Sequence, residues 1–251
     1  ITLADTALTV GESTTVSFRF SEPVTGFDAS DVVLTDANGT LSPPTANAER
    51  TVWTATFTPT ANVSVLANTI RVNLAGVRDD AGNTGTGSAI STNYSVDTTR
   101  PTATITLADN ALTVGESTTV SFRFSEPVNG FDASDVVLTD ANGTLSPPTA
   151  NAERTVWTAT FTPTANVSVL ANTIRVNLAG VRDDAGNTGT GSASSTNYSV
   201  DTTRPTATIT LADTALTVGE STTVSFRFSE PVTGFDASDV VLTDANGTLS
   251  A

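Results

Sequence analysis

The segment Thr15 to Ser21 reads T-V-S-F-R-F-S, so that Val16, Phe18 and Phe20 share one face and Arg19 points to the other. This strict period of two is the mark of a half-buried strand. The same alternation recurs along the chain. Thr104 to Leu107 turns Ile105 and Leu107 inward, and Ala7 to Val10 reads as the continuation of that strand type after a kink. Asp31 to Thr35 reads as a short strand closed by Asp36-Ala37-Asn38-Gly39, where Asn-Gly supplies the positive φ of a tight turn. Thr40 to Ser42 follows, and Pro43-Pro44 interrupts the ladder. Thr51 to Thr58 aligns Trp53, Ala55 and Phe57; Thr69 to Leu74 aligns Ile70, Val72 and Leu74; Thr92 to Val96 aligns Tyr94 and Val96. About seven short strands in roughly a hundred residues predict an all-β, Greek-key sandwich of immunoglobulin type.

The pattern then repeats. Ile1–Thr104 aligns with Ile105–Thr208 without a gap, differing only at Thr6/Asn110, Thr25/Asn129 and Ile90/Ser194, and Ile209–Ser250 copies Ile1–Ser42 unchanged. A unit of 104 residues can bury a core of its own, unlike the 20–50-residue repeats of solenoids. The expected organisation is therefore a tandem array of sandwiches arranged end to end: residues 1–97, 98–201 and a partial third, 202–251. The chain starts within a strand and stops within a repeat, which reads as a piece of a longer array. Ala251 stands where Pro43 and Pro147 occupy the earlier copies.

Charge narrows the function classes. The formal net charge is -15 and all 11 basic residues are arginine, a surface expected to repel nucleic acid and anionic lipid and to attract cations. There is no cysteine or histidine, so neither disulfides nor a zinc site is expected. No apolar stretch approaches the ~20 residues of a spanning helix. Catalysis is not expected, because the only acid–base machinery on offer is a pair of adjacent aspartates in a turn.

The linker Asp97-Thr98-Thr99-Arg100-Pro101-Thr102 is short, and its proline stiffens it, so successive units should form a monomeric rod. In an immunoglobulin-type sandwich the B–C loop, the F–G loop and the start of strand A lie at one end. That topology should gather Asp97 with Glu126, Asp132, Asp135, Asp183, Asp184 and Asn187 at the first junction. Asp201, Glu230, Asp236 and Asp239 hold the corresponding places at the second, and Glu22, Asp28, Asp31, Asp79, Asp80 and Asn83 those of the first repeat. So many carboxylates repel one another unless a cation lies among them. With oxygen donors only, that cation is expected to be Ca²⁺. Each acid taken singly also fits a turn-forming, solvated role. Trp53 and Trp157 are in phase with Phe57 and Phe161, which points to core rather than to a sugar platform.

The segments F-S-E-P-V-T-G-F-D-A-S-D-V, W-T-A-T-F-T-P-T-A-N and V-R-D-D-A-G-N-T-G, with the lead-in V-D-T-T-R-P-T-A-T-I-T-L, resemble bacterial Ig-like repeats of large RTX-type biofilm adhesins. The resemblance covers the whole unit. It implies an extracellular, cell-surface extender that projects distal binding domains, with calcium near the junctions stiffening the array. The positions it implies as ligands are Glu22 and Glu126, Asp28 and Asp132, Asp79 and Asp183, and Asp97 and Asp201, with the choice within each Asp-Asp pair open. The competing expectation is a repeat that binds glycans itself.

Overall fold

The computed structural model describes residues 1–250; Ala251, the last residue of the third expected domain, lies outside them. Among the described residues the regular structure is all β, apart from single 3₁₀ turns of three residues such as Ala133–Asp135 and Leu178–Gly180. Among the described residues no helix is long and apolar enough to cross a membrane.

The second repeat shows the architecture. One sheet has the order Ala103–Leu107, Thr118–Phe124, Val156–Pro163, Gly143–Leu145, with Thr149–Ala150 also paired to Val156–Pro163. Against it lies a second layer in which Ser168–Asn172 pairs with Tyr198–Asp201, and beyond an interruption Arg175–Asn177 pairs with Ser192–Ser194 and Val136–Val137. The inward residues of both layers form one core, led by Val120, Phe122, Phe161, Ile174, Val176, Tyr198 and Val200. The first repeat builds an equivalent, separate core around Val16, Phe18, Phe57, Ile70 and Val96. In the third copy only the early strands are present in this chain, and Ile209, Leu211 and Phe235 are exposed where their earlier counterparts are covered.

The period-two segments fold as their pattern dictates: Val16 and Phe18 are buried in Thr14–Arg19, and Ala55 and Phe57 in Val52–Pro59. Four expectations change. Ala7–Leu8 does not prolong the first strand within its sheet; it crosses to the other layer and pairs in parallel with Tyr94–Asp97. Asp31 is not in a strand, because Ala29–Asp31 is a 3₁₀ turn and only Val32–Val33 is extended. In the Asn-Gly turn the left-handed residue is Asn38, at φ 50°, while Gly39 is already in the next strand. Glycine is required there for space, since a Cβ would fall 2.2 Å from the Phe57 ring. Leu74 opens a 3₁₀ turn instead of ending the strand, which covers Arg71–Asn73.

Two features of this scaffold position the junction. Val128–Asn129 in the B–C connection pairs antiparallel with Arg182–Asp183 in the F–G connection, placing Val128 opposite Asp183. Tyr94–Asp97, the last strand of the preceding repeat, ends at the linker.

Candidate inter-repeat cation site

Glu126 lies two residues before Val128, so the small ladder that sets Val128 against Asp183 also brings the Glu126 side chain to that acid. Asp97 arrives from the other side, at the end of the first repeat. Carboxylate oxygens of Asp97, Glu126 and Asp183 all lie within 4.8 Å of one another, the one such acidic group among the described residues. Ca²⁺ takes six to eight oxygen ligands at about 2.3–2.6 Å, so three carboxylates gathered this closely can supply part of its shell. The donors are hard oxygens, the chemistry this ion requires.

Each carboxylate is oriented by local bonds. Asp97 Oδ1 accepts from the Thr99 hydroxyl at 2.7 Å and the Thr99 N–H at 3.2 Å. Asp183 Oδ1 accepts from the Asn187 N–H, and its Oδ2 from Asn187 Nδ2, both at 2.8 Å. Glu126 is half-buried. Burial, followed by the charges of Asp183 and Asp97, raises its pKa above the ordinary 4.5. An acid whose folded pKa is raised is at ease when protonated and costs stability when ionised. The cost is absent below about 4.5 and grows as pH rises through the elevated value.

The two complete copies show what the junction covers. Asp183 and Asn187 are buried, each 4% exposed, whereas Asp79 is half-buried and Asn83 exposed in the first repeat. Pro101 is buried and its counterpart Pro205 exposed. Three hydrogen bonds cross between the first repeat, the linker and the F–G loop. The Val10 N–H donates to Asn187 Oδ1 at 2.8 Å, Asn187 Nδ2 donates to the Asp97 carbonyl at 3.0 Å, and Arg100 donates to the Thr188 carbonyl.

The other expected ligands are placed elsewhere. Asp132 caps the 3₁₀ turn Ala133–Asp135, accepting from Ser134, while Asp135 returns a bond to the Asp132 N–H. Asp28 with Asp31 and Asp236 with Asp239 do the same. The Ser134 hydroxyl and N–H hold the exposed Asp132 carboxyl below its usual range, and burial raises that of Asp135. Asp184 and Asp80 point to Arg154 and Arg50, each pair at 2.8 Å on the surface. Asn187 presents its carbonyl to Val10, so it acts at the junction through hydrogen bonds and not through an oxygen turned toward the three acids. At the second junction Asp201 is exposed and Glu230 half-buried. In the first repeat Asp79 is bonded to Asn83, and Glu22 is exposed. The sequence gives no sign of Val10, Arg100 or the Asp97 carbonyl at the seam, because two of those contacts are made by backbone groups that carry no side-chain signature.

The bacterial Ig-like domain family matches residues 1–96, 97–200 and 201–251. The chain belongs to this family. The second matched segment begins at Asp97, the residue that ends the last strand of the first repeat and joins the acidic group. Among solved structures, these bacterial Ig-like repeats are similar to the Escherichia coli adhesin FdeC, at 18% identity over 90% of this chain and 71% of that one, TM-score 0.38. They are also similar to the Yersinia pseudotuberculosis adhesin InvE, at 17% identity over 79% and 58% of the two chains, TM-score 0.28. A chimeric titin Z1Z2 follows at 12% identity over 79% and 95%, TM-score 0.21. These are distant neighbours, and the family match alone carries the assignment. No curated protein matches the chain.

Proposed function

We propose that this chain is a non-catalytic extender of a bacterial cell-surface adhesin, in which Ca²⁺ held by Asp97, Glu126 and Asp183 stiffens the joint between successive Ig-like repeats. The observation that carries the reading is the meeting of three carboxylates from two repeats within 4.8 Å. Two unit charges no farther apart than that repel by about 3 kcal/mol or more at an effective dielectric of about 20. A divalent cation turns that repulsion into attraction and ties one repeat to the next. Near-identity of the copies supports a spacer, because length is gained by copying a unit whose junction residues are copied with it. Secretion to the cell surface and the array of further repeats are parts of the same reading. The glycan-binding alternative lacks a supporting contact: Trp53 and Trp157 pack edge-on against Phe27 and Phe131 at 5.5 and 5.4 Å.

Calorimetric titration of the chain with Ca²⁺ should give saturable binding and a higher thermal midpoint. The double substitution Asp97→Asn with Glu126→Gln should abolish both effects. The matched pair Asp201→Asn with Glu230→Gln, outside the three-acid group among the described residues, should leave them intact. Absence of binding heat and of any midpoint shift in the unsubstituted chain would refute the calcium reading.

A further inference from the structure

The F–G loop of the exposed first repeat and that of the covered second repeat have the same conformation around their asparagines. Asn83 bonds to Asp79 through its N–H at 2.8 Å and its Nδ2 at 2.7 Å, and Asn187 bonds to Asp183 in the same two ways, both at 2.8 Å. The loop therefore takes the same form with and without contacts to another repeat. In that form the asparagine amide has one N–H and one carbonyl oxygen left over. At Asn83 they face solvent. At Asn187 they meet the Asp97 carbonyl and the Val10 N–H of the preceding repeat, at 3.0 and 2.8 Å, and the side chain is 4% exposed.

We infer that Asn187 is a repeat-to-repeat latch, whose amide recognises the end of the preceding Ig-like repeat through two backbone groups without needing a bound cation. An amide has a donor and an acceptor on a rigid plane, so its two bonds fix the rotation of one repeat about the other as well as their separation. Both of its partners are backbone atoms, one in the turn after Ala7–Leu8 and one at the end of Tyr94–Asp97. The partner it fits is thus the end of any repeat with this backbone course, largely irrespective of side chains. Burial sharpens the choice: a docked but misrotated neighbour leaves the Asp97 carbonyl or Val10 N–H without its partner in a partly dehydrated seam. The carboxylate group and the latch share Asp183, which Asn187 orients, but they differ in kind. One is charged and responds to calcium; the other is neutral and does not.

The test uses Asn83 as its control, since it makes the same two bonds to its own aspartate and none to another repeat among the described residues. Spin labels on Thr40→Cys and Thr144→Cys, two exposed sites in the two complete repeats, report the inter-repeat distance distribution in chelator. Asn187→Ala should broaden that distribution at least two-fold, whereas Asn83→Ala should leave it as in the parent. Circular dichroism melts of each variant verify that both repeats stay folded. Equal widths for the Asn187→Ala, Asn83→Ala and parent chains would overturn the latch, and would do so without bearing on calcium, since none is present.

Discussion

Glu126 is the residue at which the chemistry of the junction is concentrated. Unlike its sequence twin Glu22, which is exposed, it is half-buried and faces Asp97 and Asp183. Its raised pKa means that the folded junction holds a proton more firmly than the unfolded chain does. Without calcium, stability linked to this group must fall as pH rises through the elevated value, and be recovered as pH drops toward about 4.5. In chelator, the inter-repeat distance distribution should therefore narrow as pH is lowered from neutrality toward the ordinary value of 4.5. Glu126→Gln, neutral throughout, should flatten this response. A pH response of equal size in the Gln variant would assign it to another group. The neighbouring surface pair Arg154–Asp184 is exposed on both sides and contributes little by comparison.

At the scale of elements, the B–C connection is held by an aromatic anchor. Phe131, 3% exposed, has its ring centroid 5.1 Å from those of Phe122 and Phe124 and 5.4 Å from that of Trp157. It fixes the loop that carries Glu126 on one flank and the Asp132–Asp135 cap on the other. Phe131→Ala should lower the stability of the second repeat by about 3–5 kcal/mol. In a Trp53→Phe background, denaturation followed by Trp157 fluorescence reads that repeat alone; a loss below about 1 kcal/mol would contradict the anchor.

Legibility from the sequence varies by element. Thr14–Arg19 and Val52–Pro59 are readable because one face of each is core and the other solvent, so the pleat is written into the residue order. Ser64–Asn68 is not, since Val65 and Leu66 are both exposed and only Asn68 is buried, where its amide holds the Val65 and Tyr94 carbonyls. Two-residue strands such as Val128–Asn129 are too short to show a period, yet that one sets the junction. The convergence of Asp97, Glu126 and Asp183 follows from strand order. The capping role of Asp132 and Asp135 is also present in their i, i+3 spacing, but metal ligation and capping require the same residue types. Local backbone geometry decides between them, and the sequence pattern does not display it.

For the molecule as a whole, two self-contained cores joined by a short linker would pivot freely if nothing crossed the seam. What crosses it is a group of three acids, an asparagine latch and an arginine-to-carbonyl bond. In the proposed function, calcium converts the acids from the weakest part of the joint to the strongest, and a rod results when the joint is copied along an array. Because the chain contains no cysteine, labels at Thr40→Cys and Thr144→Cys are the only thiols, and the distance between the two repeats can be measured with calcium and with chelator. A calcium-stiffened joint should give a narrow distribution in calcium that broadens on chelation, and the Asp97→Asn, Glu126→Gln chain should lose that response. The same width in calcium and in chelator would contradict a calcium-stiffened joint.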